Sequence, residues 1–337
     1  MESRYIQELR EQNEKQIRLY LMEYGPCVLP DIAAGANLPP RLAAKTLDAL
    51  LQRGEVTNAD GRFGLNPDHA HVLVIALRPE TLYYRVCNLS RQTREEGSRA
   101  VEGDTHIAQM ADIVSQVRMN HKNLRLIQLG IPGNTQNGRL VYMAEDFYLV
   151  GHDIAAELGR YCHLPIALCN DVNAMAYGFY RSHIEASIGD GSMMYLYESR
   201  FGAGAGIVAN GKLVTGFSGF AGEMANLWPP QAGREAQLKS QVAAILSLLN
   251  PGLLVVAHEP DLLIDRDAIT AYVQQTFPAH AVPKMHFAQR LGNGPSPALL
   301  FTCEYEENYV DGLADLAVEA VLEGKVGGAG HKLQSIG

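Results

Sequence analysis

The residues best placed to do chemistry are Asn170, Asp171 and Glu223. Asp171 follows a short apolar strand and precedes a helix of small and apolar residues, Val172 to Tyr180. An aspartate at that point has two readings. It can cap the helix by accepting a backbone N–H, or it can face a cleft and take a proton from a hydroxyl while Asn170 holds a neighbouring hydroxyl. Glu223 is an isolated carboxylate delivered by Gly216 and Gly219, suited to backbone amides or to a polyol. Together the three make a sugar-hydroxyl constellation. None of them supplies phosphate chemistry alone.

Glu223 lies inside the stretch that organises the chain, Leu196 to Trp228. Gly202, Gly204 and Gly206 alternate with Ala203, Ala205 and Ile207, so a backbone without bulky side chains turns tightly or approaches something closely before a short apolar strand. Asn210-Gly211 then returns the chain as Leu213-Val214-Thr215, a hairpin signal. The bland reading of such a run is plain structure.

The chain has 337 residues, enough for two or three domains with real cores. A hydrophobic content of 47% excludes a disordered chain, and a net charge of -9 provides no general field for nucleic acid, so any DNA contact must be local to one module. Five cysteines at wide spacings, Cys27, Cys87, Cys162, Cys169 and Cys303, form neither a disulfide framework nor a paired zinc motif. They read as reduced thiols of a cytoplasmic protein. The polar start is unlike a secretion signal, and no apolar run reaches the length of a membrane span.

Residues 1–67 read as a first domain. Gln12 to Glu23 is a short amphipathic helix, Asp31 to Ala36 a second, and Arg41 to Arg53 a third that ends at Gly54. Strand, turn and strand follow over residues 55–65. That order is the plan of a winged helix-turn-helix, whose third helix enters a DNA major groove. Arg41 and Lys45, one turn apart, and Arg62 in the wing are the candidate DNA contacts. Acids and bases are nearly balanced here, so weak binding, or cooperative binding through a dimer, is expected. The alternative is a packing or dimerisation module that keeps the shape without the grip.

From His71 onward, strands and helices alternate. Val72–Leu77, Thr81–Leu89, Leu124–Leu129 and Pro165–Leu168 read as strands, and Thr105–Asn120 and Ile154–Cys162 as helices. This predicts an α/β body with ligands at strand ends, a first lobe over residues 70–180 and a shortened second lobe over 181–337. In the tail, Asp265–Gln275 and Glu307–Leu322 read as helices and Leu299–Cys303 as a strand. Pro278–Pro297 reads as loop, and Gly324–Gly337 as a frayed end. His258, His280 and His286 are lone histidines rather than a metal site.

Ordered motifs give the chain a family likeness. LGIPG at Leu129–Gly133, CNDVNAMAYG at Cys169–Gly178, FGAGAGIVANGKLVTGFSGFAGEM at Phe201–Met224 and LLNPGLLVV at Leu248–Val256 follow the winged-helix-like start. The combination resembles the ROK family of bacterial sugar kinases and transcriptional repressors, the latter of the NagC/XylR type. The resemblance implies an actin-like, ribonuclease H-like ATPase fold behind the winged helix. It also implies that Asp171 holds the place of the catalytic base toward a sugar hydroxyl, and that Asn170 and Glu223 hold sugar-binding places.

The same resemblance exposes departures. The family's zinc-binding histidine is Asn226 here, and no cysteine follows between Pro229 and Val256, so no zinc is expected. The family's acid-and-glycine phosphate hairpin corresponds to Ile75–Thr81, with Ala76 at the acid's place and no glycine. Arg200 occupies a small residue's place in the second phosphate loop, and Ala257-His258 replaces the glycine pair beneath adenosine. Phosphoryl transfer depends on positioning and on metal or cationic stabilisation. The expectation is therefore a cytoplasmic transcriptional regulator without enzymatic activity or cofactor. It would bind a double-stranded DNA operator as a homodimer or dimer of dimers and sense a small sugar. A sugar kinase with Asp171 as base is the alternative.

Overall fold

The computed structural model describes residues 4–78, 80–143, 148–183, 192–200, 202–224, 233–281, 284–285, 298–303 and 305–325. The chain opens with α1 (Arg4–Tyr24), β1 (Cys27–Val28), α2 (Leu29–Gly35), α3 (Pro40–Gln52), β2 (Val56–Ala59) and β3 (Arg62–Leu65). Ile17, Leu21, Ile32, Leu47, Leu50 and Val56 form the core of this unit. The strands make an antiparallel sheet in the order β1-β3-β2. Asp60 and Gly61 turn the β2–β3 hairpin at φ of 52° and 81°. Pro30 and Pro40 stand in the first turns of α2 and α3, where a missing N–H costs nothing.

The helix expected from Gln12 begins at Arg4 instead. Its first turns are exposed, Tyr5, Ile6 and Leu9 included, and are closed by pairs such as Arg4 with Glu8 at 3.0 Å, so no buried apolar face marks them. Further along α1, Arg18 lies 3.2 Å from Glu55, and Arg53 beside α3 lies 2.8 Å from the buried Glu14. These pairs join the helices to the hairpin.

A 3-10 turn at Pro67–His69, capped by the Asn66 side chain, leads into the body. Its first sheet comprises β4 (His71–Leu77), β5 (Thr81–Asn88), β6 (Thr93–Ala100), β7 (Leu124–Ile131) and, beyond the hairpin of β8 (Asn134–Gln136) and β9 (Arg139–Tyr142), β10 (Ile166–Asn170). Helices α4 (His106–Asn120) and α5 (Ile154–Gly159) accompany it, and α6 (Asp171–His183) follows. The second sheet comprises β11 (Met193–Ser199), β12 (Gly202–Ala209), β13 (Lys212–Leu213), β14 (Leu253–His258), β15 (Lys284–Met285) and β16 (Ala298–Thr302). Its helices are α7 (Arg234–Leu248), α8 (Arg266–Thr276) and α9 (Tyr305–Leu322).

Both sheets follow one plan. The first runs β6-β5-β4-β7-β10 and the second β13-β12-β11-β14-β16, with β15 added at the edge. In each, a three-stranded antiparallel meander is extended by two strands parallel to its first member. Wholly buried β4 serves two layers. Val72, Val74 and Ala76 face α6 and α9, while Leu73, Ile75 and Leu77 face α4 and α5. The second sheet likewise packs Tyr195 and Val255 inward and Leu196 and Val256 against α7 and α8. The order of layers is therefore helices, sheet, the α6–α9 pair, sheet, helices.

The central pair is packed backbone to backbone. A Cβ on Gly312 would stand 1.8 Å from the Ala174 carbonyl oxygen, and one on Gly178 would stand 2.1 Å from that of Asn308. Only glycine allows the two helices this approach.

Some expectations need correction. TREEGSRA forms edge strand β6, although its charged residues show no apolar alternation, because pairing to β5 supplies the backbone bonds. Hairpin β8–β9 was also unforeseen. Within the expected loop 278–297, Lys284 and Met285 pair with β16, and 282–283 and 286–297 lie outside the described residues, as does the tail beyond 325. The glycine run from Gly202 is itself a strand. Its close approach is to α6, where a Cβ on Gly206 would meet Ala176 at 2.4 Å.

Two outcomes follow from this packing. Gly312→Val forces the helices apart and lowers stability by about 2–4 kcal/mol in urea unfolding. Glu198, buried near the end of β11, has its carboxyl pushed up to about 7 by burial, from 4.5, with Arg234 opposing the shift. Below pH about 4.5 it is protonated in both folded and unfolded chains. Above that, only the unfolded chain ionises until pH about 7, so the native state progressively loses stability. Glu198→Gln therefore matches the parent near pH 4 and exceeds it by roughly 2–3 kcal/mol at pH 8 in the same measurement.

Candidate functional site

The end of β10 and the start of α6 place Asn170 and Asp171 side by side. Asn170 accepts the Asn173 N–H at 2.9 Å and donates to the Gly133 carbonyl at 3.0 Å. It is thus Asn170 that caps α6 and ties it to the Leu129–Gly133 turn. Asp171 Oδ1 accepts the adjacent Val172 N–H, at 2.8 Å, and the capping reading of Asp171 passes to its neighbour. The other oxygen, Oδ2, lies 3.8 Å from Arg78 Nη1. Burial raises the Asp171 carboxyl above the usual range, and Arg78 offsets part of the rise.

Glu223 reaches the same place along a glycine path. Gly216, Gly219 and Gly222 all have positive φ, and a Cβ on Gly222 would stand 1.8 Å from the Ala205 oxygen. The Ala205 N–H donates to Gly222 O at 2.8 Å, fastening this loop to β12, while Asn134 donates to the Gly219 carbonyl from β8. Burial, with a further push from Asp171, brings the Glu223 carboxyl up to about 7. All three expected residues line one cavity of about 770 Å³ between the two sheets, within the range of small-molecule sites. Its wall includes the glycine backbone of β12.

Sequence reasoning missed Arg78, which lines the cavity. The β4–β5 connection closes without glycine, the Arg78 N–H donating to the Thr81 carbonyl at 2.9 Å. It leaves Ala76 and Arg78 lining the cavity. The Arg78 guanidinium lies over the Tyr309 ring at 4.6 Å and the Tyr305 ring at 5.6 Å, both on the first turns of α9. A lone arginine after a wholly apolar strand, and two tyrosines four apart on a later helix, were the available signals.

At the other end of the molecule, Arg41 and Lys45 are exposed on α3 and make no ion pair or hydrogen bond among the described residues. Arg62 is exposed at the start of β3 and donates to the Pro26 carbonyl at 3.3 Å. Among the described residues, no cluster of three or more His, Cys, Asp or Glu side chains is able to hold a metal, and no helix is long and apolar enough to cross a membrane. Asn226 and His286 lie outside the described residues. His258 is buried, with the Cys303 sulfur 3.6 Å from its Nε2, and His280 is exposed.

Residues 85–235 match the sequence model of the ROK family. No curated protein matches the chain in sequence. Among solved structures, a ROK family transcriptional regulator described as a homologue of the E. coli MLC protein superposes with a TM-score of 0.72 at 13% identity, covering 94% of this chain and 97% of its own. The ROK hexokinase from Thermus thermophilus gives 0.55 at 17% identity, covering 76% of this chain and 100% of its own. A ROK family glucokinase from Streptomyces griseus, in complex with glucose and AMPPNP, gives 0.52 at 14% identity, covering 74% and 99%. At these identities the likeness is one of fold. The family-model match over residues 85–235 thus lies within the mixed α/β two-sheet fold that these ROK structures share.

Proposed function

We propose that this protein is a ROK-type transcriptional regulator that grips a double-stranded DNA operator with an N-terminal winged helix-turn-helix and senses a small sugar in the cavity between its sheets. In this reading residues 1–67 are the DNA-binding domain, residues 70–180 and 181–337 are the two lobes of the sensor, and the protein works in the cytoplasm as a homodimer or dimer of dimers. The observation that carries it is the pair Arg41 and Lys45, exposed one turn apart on α3. The neighbouring Arg53, by contrast, is drawn into pairs with Glu14 and Glu55. Cations left outside internal pairs are the ones available to phosphates. Arg62 is the contact assigned to the wing. Two kinases match over nearly their whole length while covering about three-quarters of this chain, whereas the regulator covers 94% of it, which supports the same reading.

In the cavity, Asn170, Asp171 and Glu223 are the sugar-binding residues. A magnesium nucleotide does not fit beside them. Arg78 brings a fixed positive charge to within 3.8 Å of Asp171, beside the β4–β5 hairpin that in the kinases approaches phosphates. A divalent cation there would meet like charge, so Asp171 binds a hydroxyl without acting as a base in phosphoryl transfer. The competing reading, a hexose kinase, predicts ATP-dependent turnover that Asp171→Asn abolishes; the expected result is no turnover for either protein.

The test of the main reading is anisotropy of a labelled duplex from upstream of the protein's own coding region, titrated with protein over a range of salt. Arg41→Ala and Lys45→Ala are each expected to weaken binding by roughly tenfold and to reduce the salt slope by about one. A complex indifferent to salt and to both substitutions would remove α3 from the interface.

A further inference from the structure

We propose that the cavity takes an anionic polyol, a sugar carrying a carboxylate or phosphate, and that Arg78 is the residue that reads its charged group. The proposal rests on the reading of Asn170, Asp171 and Glu223 as a sugar site and adds the chemical class of the sugar.

Arg78 is built into the site as an incomplete donor. Its Nη2 is buried and has no hydrogen-bond partner among the described residues. Its Nη1 stands 3.8 Å from Asp171 Oδ2, close enough to attract but too far for a hydrogen bond. A buried charged donor without an acceptor is costly, so the arrangement gains when an oxyanion arrives. The rings of Tyr309 and Tyr305 beneath the guanidinium fix its plane, which spares a ligand the entropy of ordering a long side chain. A planar fork held in this way suits the paired oxygens of a carboxylate or phosphate.

Of the arginines that line the cavity, Arg78 is the one beside Asp171. Asp171 and Glu223 are both pushed by burial toward their neutral forms. Arg85, which also lines the cavity, is held by Glu96 at 3.0 Å and Asp311 at 2.8 Å. Glu80, Glu259, Glu306, Glu307 and Arg200 line it too, and the Glu259 carboxylate accepts the Arg200 backbone N–H at 2.9 Å. With its Nη2 unspent beside Asp171, Arg78 is the arginine placed to meet an oxyanion, so a ligand that satisfies both presents an oxyanion next to a polyol.

The experiment is calorimetric titration of the full-length protein, near neutral pH, with three matched series. These are neutral hexoses and N-acetylhexosamines, their uronates and aldonates, and their 6-phosphates. Inorganic phosphate and acetate test for an anion without a polyol. The expected result is that one anionic series binds about tenfold or more tighter than its neutral parent, as charge-assisted hydrogen bonds allow. Arg78→Gln should erase that preference, and Arg78→Lys should restore part of it. The carboxylate and phosphate arms identify which oxyanion the site takes. If neutral sugars bind as well as or better than the anionic forms, the charge assignment falls while the sugar-site reading stands. If no sugar of any series binds, both fall. Should Arg78→Gln fail to fold, the contrast between series in the parent protein, with Arg78→Lys, decides the matter.

Discussion

The close crossing of α6 and α9 is the contact on which the rest of the structure depends. Two sheets built on one plan must bury their inner faces, and the helix that follows the last parallel strand of each supplies the filling between them. With backbones touching at Gly178 and Gly312, these helices occupy less width than side chains would demand. The cavity follows from that geometry. Asp171 opens α6 and Tyr305 opens α9, so the cavity's buried carboxylate and the shelf beneath Arg78 are set by one helix pair.

What the residues announced and what they concealed divide along physical lines. The apolar strand at His71–Leu77, the hairpin at Asn210-Gly211 and the small-residue helix after Asp171 were legible because burial and turn chemistry leave periodic traces. The three candidate sugar residues were legible for a related reason. An asparagine, an aspartate and a glutamate sit at the ends of apolar or glycine-rich segments, where strand ends collect polar groups. Edge strand β6 left no such trace, since its side chains are mostly exposed and only its backbone is paired. Neither did β8 and β9, short strands whose pairing depends on distant parts of the chain.

Arg78 was concealed for a different reason. Its meaning lies in partners more than ninety residues away, Asp171 and the tyrosines of α9, and no local pattern links them. The division of labour between Asn170 and Asp171 was equally hidden, because either side chain suits a helix start. Only three-dimensional placement shows the Asn170 amide tied to the helix start and to Gly133, with the adjacent Asp171 carboxylate facing the cavity.

Helix α9 has one more geometric consequence. It starts beneath the guanidinium and ends, about 27 Å away for eighteen residues, beside Glu323, which holds Lys15 of α1 at 2.8 Å. Leu19 and Met22 of α1 rest on the same core that α9 helps to fill. The tilt of the first three helices is thus referenced to a strut anchored in the cavity, and the two extremities of the protein share a single rigid yardstick.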